Sequence, residues 1–355
     1  MKTLIINLLV ILLAFTFSSC DEVTSSSTQS SLSKDDSEWL IPNDEIFDGG
    51  PGRDGIPALV TPDLIHASRV GYLSFDDLVI VVNIDDEIKI YPHAILDWHE
   101  IINDGIGSTR YALTYCPLTG SAINWDRVID GETTTFGVSG LLYNSNLIPY
   151  DRKTESNWSQ MKLQSVNGAL ISQFAKTLPL LETNWETARK LFPDAQVVSE
   201  ETGFSRNYGR YPYGNYKTNH SSLLFPVDHE DSRLNAKERV LGIIDGDATK
   251  AYKILDFSSD GEIIFDTFSQ KRFLIYGNSN KNIITAFDIS EISDTIVFNS
   301  STTDTPWFIN DSNGNKYDLF GRSEDKTQQL KPAKSFIAYW FAWATFYQNT
   351  ELYER

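Results

Sequence analysis

Cysteine is nearly absent from this chain. Its 355 residues hold only Cys20 and Cys116, so no disulfide framework is available. Several signatures of common chemistry are missing too: a glycine-rich phosphate loop followed by a helix, a nucleophile elbow, HExxH and an EF-hand loop. Those absences argue against the usual nucleotide, hydrolase and zinc-protease mechanisms. Positive charge is also scarce, with 30 Lys and Arg against 48 Asp and Glu and a net charge of −18. Such a surface repels phosphate backbones and anionic headgroups, which excludes nucleic acid as a partner. What is plentiful is apolar bulk. At 41% hydrophobic residues the chain can bury a sizeable core as one large domain or two smaller ones. The 12% aromatic content suits the interior of β domains, with sugar binding as the alternative use.

The first residues read as a leader rather than as fold. Met1-Lys2-Thr3 makes a short positive start, residues 4–17 are apolar but too short to span a bilayer comfortably, and Ser18-Ser19 leads to Cys20. Phe17-Ser18-Ser19-Cys20 resembles the lipobox of a bacterial lipoprotein, which implies cleavage before Cys20 and lipidation of its thiol. The expectation is a signal peptide over 1–19, a flexible Ser/Thr-rich tether over 20–38, and folded chain from about Trp39. Localisation follows: the bacterial cell envelope, lipid-anchored to the outer membrane on its periplasmic face or at the cell surface. Cys116 is then the sole free thiol of an oxidising compartment, either well buried or chemically occupied.

Along the body, residues 48–59 concentrate glycine and proline in a turn-forming stretch that carries Asp54. A short helix is expected over 61–68. Residues 78–84 and 87–91 alternate as two strands about Asp85-Asp86, a hairpin pattern. Pro92 then opens a helix with Ile95, Trp98, His99 and Ile102 on one apolar face and Asn103-Asp104-Gly105 as its stop. That spacing puts His99 inside and leaves Asp97 and Glu100 on a solvated face. Residues 110–116 form a strand ended by Pro117, and further strands are expected over 121–129, 133–138 and 147–150, with a flexible elbow at 137–140. A helix is expected over 184–192. Residues 334–347 are apolar nearly all round, which predicts a buried helix.

Two parts of the chain resemble each other. LVIVVNIDDEIKIYPHAILDW from Leu78 parallels RVLGIIDGDATKAYKILDF from Arg239, and residues 110–127 parallel 272–289. The interval from Tyr91 to Cys116 equals that from Tyr252 to Gly277, so Gly277 stands where the first copy has its thiol. The predicted fold is therefore mainly β with a few short helices (α+β). It has two related β-rich halves from an internal duplication: 39–235, carrying the Cys/His site, and 236–355, diverged and ending in a buried helix.

Chemistry concentrates at 91–127. Three readings of Cys116 stay open. Thiolate with His99 and His93 would suit a transition metal, copper or zinc. A thiol with a depressed pKa, with either histidine as base, would be a nucleophile or redox centre. A buried small hydrophobe is the bland third. His93 lies six positions before His99, about 240° around a helix, so both meet one ion only if His93 belongs to the preceding turn. Asp54, Thr119 and Trp158 are candidate supporting residues.

Several motifs together are specific: GGPGRDGIPAL (49–59), YPHAILDWHEIIND (91–104), TYCPLTGSA (114–122), FGVSGLLYNSNLIPYDRKTESNWSQ (136–160), FPVDHEDSRL (225–234) and YWFAWATFYQNTELY (339–353). On these the chain resembles a family of secreted and lipid-anchored bacterial proteins catalogued as domain of unknown function 3179. The resemblance implies a Cys-x-x-Cys turn in many members, where this chain reads Cys116-Pro-Leu-Thr119. With Thr119 in the second place an internal disulfide is impossible, which tells against a thioredoxin-like exchange. The leading expectation is a cell-envelope lipoprotein binding copper or zinc. The alternatives are an enzyme using Cys116 and a non-enzymatic module for a glycan or protein partner.

Overall fold

The structure, a computed structural model, describes residues 38–301 and 306–355. The expected leader, the expected lipidation site Cys20 and all of the expected tether but Glu38 lie outside the described residues. The fold is mainly β, with α-helices of seven residues at His93–His99 (α1), Trp185–Leu191 (α2) and Trp340–Phe346 (α3). No helix among the described residues is long and apolar enough to cross a membrane.

Local chemistry explains the hairpins. The β-branched run Leu78–Ile84 pairs antiparallel with Glu87–Pro92, and Asp85 and Asp86 turn the chain at φ 51° and 67°. Aspartate tolerates that left-handed backbone better than most residues, and such a turn matches strand twist. Asn184 caps α2, its side chain accepting a bond from the Thr187 N–H at 2.9 Å.

The two halves share one succession of elements. In the first, the sheet order is Leu181–Asn184, Leu78–Ile84, Glu87–Pro92, Gln196–Val198, with Leu64–His66 at its edge. In the second it is Ser335–Tyr339, Arg239–Asp245, Ala248–Lys253, Glu351–Leu352. In each, the first strand is antiparallel to its neighbour, a helix follows it, and the strand after that helix runs parallel to the hairpin. Trp185 and Trp340 open the two helices, and Phe192 (φ −129°, ψ 62°) and Tyr347 (φ −129°, ψ 66°) close them in the same geometry. A second sheet recurs likewise. Thr177–Leu178, Ser121–Asp126, Thr109–Cys116 and Ile101–Ile106 correspond to Lys331–Pro332, Ile283–Asp288, Lys271–Asn278 and Glu262–Phe268. Cys116 faces Ser121 across its hairpin as Asn278 faces Ile283. Register therefore matches Cys116 with Asn278 and moves Gly277 opposite Tyr115.

Several boundaries differ from expectation. Helix α1 stops at His99 because Glu100 turns left-handed at φ 56°, and the expected stop Asn103-Asp104-Gly105 lies inside the strand Ile101–Ile106. The stretch 61–68 contains the strand Leu64–His66 and starts a 3₁₀ turn, Ala67–Arg69, instead of an α-helix. Residues 334–347 divide into the strand Ser335–Tyr339 and α3. An apolar run looks alike as buried strand or buried helix, so periodicity could not place that break. The elbow at 137–140 lies within the strand Phe136–Tyr143, whose pairing shifts register between Val138 and Leu142.

Both halves build the central core. Cys116, Leu118, Trp125 and Trp158 from the first pack in one cluster with Phe336, Trp340 and Trp343 from the second.

Candidate functional site

The predicted site residues separate once placed. Cys116 ends its strand and is 1% exposed, with Sγ donating to the Ser145 carbonyl at 3.7 Å. Burial, with Glu100 near it, pushes its pKa up to about 11, so the thiol keeps its proton at neutral pH. Native protein is expected to react with iodoacetamide far more slowly than unfolded protein at pH 8, measured by mass. Alkylation of the folded chain at the rate of a free thiol would overturn the buried assignment.

His99 is fully committed. Its Nδ1 donates to the Pro57 carbonyl at 2.7 Å and its Nε2 accepts from the Tyr208 hydroxyl at 2.7 Å. Burial lowers its pKa, which agrees with a neutral ring bonded at both nitrogens. Neither nitrogen is free to bind a metal or take a proton in this arrangement. Thr119 is equally occupied. Its hydroxyl meets Ser121 Oγ at 2.8 Å and accepts from Asn146 Nδ2 at 2.9 Å, in a buried network continued by Gln160. Trp158 belongs to the aromatic core beside Trp125 and Phe136, its indole donating to Asp151 at 3.2 Å. Asp54 works as a clamp: it accepts from Tyr150 at 2.5 Å and from Arg152 at 2.7 Å.

His93 has a different setting. It starts α1, is 7% exposed and stacks on Tyr115 at 4.5 Å. Its Nε2 is 3.2 Å from Glu182 Oε2, an ion-pair approach, and meets no hydrogen-bond geometry among the described residues. Glu182 comes from the strand before α2, and its other neighbour is Arg239 of the second half, at 2.5 Å. Burial lowers the His93 pKa, with Glu182 opposing that effect.

The cluster continues along α1 to the residue four after His93, on the same stripe, and to the residue just past the helix end. These are Asp97 and Glu100, each 6% exposed, which corrects the expectation of a solvated face. Burial pushes Asp97 up to about 7, against a nearby Lys217 that lowers it. Burial raises Glu100 to about 8, partly offset by a hydrogen bond from Tyr213. Above them lies the segment 199–238, which contains one short 3₁₀ turn, Tyr216–Thr218. Side-chain bonds hold it down: Tyr211 donates to the Pro117 carbonyl at 3.1 Å, Tyr216 to the Leu118 carbonyl at 3.0 Å, and Trp98 to the Arg210 carbonyl at 3.1 Å. The Lys217 ammonium stands 4.4 Å over the Tyr211 ring.

Among the described residues, three buried atoms here have no hydrogen-bond partner: His93 Nε2, Asp97 Oδ1 and Glu182 Oε1. Each can offer a lone pair. The expected set of Cys116, His99 and His93 is not assembled as one centre. Among the described residues no group of three or more His, Cys, Asp or Glu side chains is placed to hold a metal ion. Glu182 and Arg239 carried no local signal in the sequence, since they meet only when the halves pack. Asp97 and Glu100 had one: their spacing from His93.

No curated protein and no solved structure matches this chain. A family pattern does, over residues 53–350, and it covers both halves and every residue of the buried cluster. The chain thus belongs to the family described as Protein of unknown function (DUF3179).

Proposed function

We propose that this protein is a lipid-anchored binding protein of the bacterial cell envelope that takes a cationic group at the α1 face, beneath the tyrosine-rich cover. The observation that carries this reading is the set of buried, unpartnered lone-pair atoms on His93, Asp97 and Glu182. Polar atoms buried without partners are costly and rare, and they mark places where a ligand completes the bonding. The lone pairs call for a donor or a positive charge, and the surrounding tyrosine faces favour an ammonium. Lys217 already holds an ammonium at the edge of that cluster.

A small amine is the first candidate. Copper or zinc is the second, favoured by the 3.2 Å approach of His93 to Glu182, with a further donor having to move in. The glycan- or protein-binding alternative needs the same cover to open but offers no use for three orphan acceptors.

Titration calorimetry at pH 7 with a short alkyl diamine, copper(II) and zinc(II) tests the reading. Binding is expected to release protons, because at that pH Asp97 is about half protonated and Glu100 mostly protonated, and a cation expels those protons. Asp97→Asn and His93→Ala are expected to weaken binding at least about tenfold. If none of the three cations binds, or both variants bind like the wild type, the reading fails.

A further inference from the structure

A different feature lies where corresponding edges of the two halves meet. A cleft of about 500 Å³ runs between Ser121–Asp126 with Thr177–Leu178 on one side and Ile283–Asp288 with Lys331–Pro332 on the other. That volume falls in the range of small-molecule sites, which favour junctions between domains or repeats. Polar and apolar surface line it in about equal parts, with Leu178, Phe287, Phe320 and Phe336 on the apolar part.

Two polar residues of the lining are unused. Asn124 is 1% exposed, and both its Nδ2 and its Oδ1 are buried with no hydrogen-bond partner among the described residues. A buried amide with neither end satisfied is a poor choice for stability in a strand where leucine would fill similar space. Lys334, an exposed residue, brings an ammonium with no acidic partner within ion-pair distance among the described residues, whereas the other lysine of the lining, Lys176, is paired with Asp126 at 2.8 Å. A free cation, an amide offering both donor and acceptor, and aromatic walls form one complementary set.

We infer that this cleft is a binding site for a small organic anion, a carboxylate on an apolar or aromatic body, held by Lys334 and Asn124. The carboxylate would accept from the Lys334 ammonium and, once the buried Asn124 side chain turns toward the cleft, from its Nδ2, while the body lies against the phenylalanines. The overall charge of −18 gives an anion no long-range attraction, so recognition rests on these local contacts. Partial burial also lowers the Lys334 pKa, as expected of an ammonium lacking a counter-ion.

The probe is anilinonaphthalene sulfonate, an aromatic monoanion whose fluorescence rises on leaving water, with phenylbutyrate as a carboxylate competitor. Full-length protein is expected to bind the dye saturably at one site and to release it to phenylbutyrate. Lys334→Ala and Asn124→Leu are each expected to weaken binding about tenfold, the loss of one charge-assisted or buried hydrogen bond. Thermal unfolding is followed on the same samples. Asn124→Leu is expected to melt at or above the wild-type temperature, which separates a ligand role from a structural one. Absence of saturable binding, failure of phenylbutyrate to compete, or a dissociation constant unchanged in either variant overturns the inference. The amine and metal titrations above do not involve this cleft, so either proposal can fail without the other.

Discussion

Replacing Arg239 with leucine is expected to cost about 3 kcal/mol of folding stability, the lower end of what breaking a buried ion pair costs. Its partner Glu182 has a fully buried side chain, and the Arg239 side chain is 17% exposed, which tempers the loss. The physical reason is an imbalance. Glu182 keeps its carboxylate inside the protein with only the weakly aligned His93 and an orphan Oε1. The double variant Arg239→Leu with Glu182→Leu removes both charges and is expected to recover to within about 1 kcal/mol of wild type. Urea unfolding of the three proteins checks this. Additive losses in the double variant would show that the pair is not energetically coupled. Strand register matches Glu182 with Ile337 and Arg239 with Leu78 of the opposite half, so both corresponding positions carry apolar residues there.

Gly242→Val is expected to be the most disruptive single change, costing about 3 kcal/mol or more. A Cβ at Gly242 would fall 2.1 Å from Trp343 of α3, far inside contact distance. Trp343 cannot yield, being fully buried, bonded through its indole to Thr350 at 2.9 Å and packed on Tyr347 at 4.3 Å. The first half solves the same contact the other way. Register aligns Gly242 with Val81, and the residue four after the strand end is Ala188 there and Trp343 here. Large strand residue with small helix residue has become small with large. Gly242→Val combined with Trp343→Ala therefore restores the first half's arrangement and is expected to be more stable than Gly242→Val alone, despite losing a buried tryptophan. Thermal melts of the two proteins decide it, and a lower melting temperature for the double variant would rule out the steric cause.

Much of the frame was legible from residues. The β-branched runs about Asp85-Asp86, the short helix expected over 184–192 and found at Trp185–Leu191, and the proline that ends the strand at Cys116 all act through their own neighbours. The break between Ser335–Tyr339 and α3 was not legible, because both sides are buried and nothing in the pattern changes there. The candidate site shows the same division. His93 was visible as chemistry. Asp97 and Glu100 looked like a wet face, since a helix covered by a loop on its second side carries no periodic mark of that cover.

By itself the sequence determined a family, a β-rich architecture and the segment where thiol and imidazole sit close together. Only the tertiary structure decided which of those groups has chemistry left to do. It used both nitrogens of His99 on Pro57 and Tyr208, sealed Cys116 in the core, and set His93 beside Glu182, which Arg239 pairs from a distant strand. A residue type announces what a side chain can do, whereas its freedom to act depends on partners brought from far along the chain.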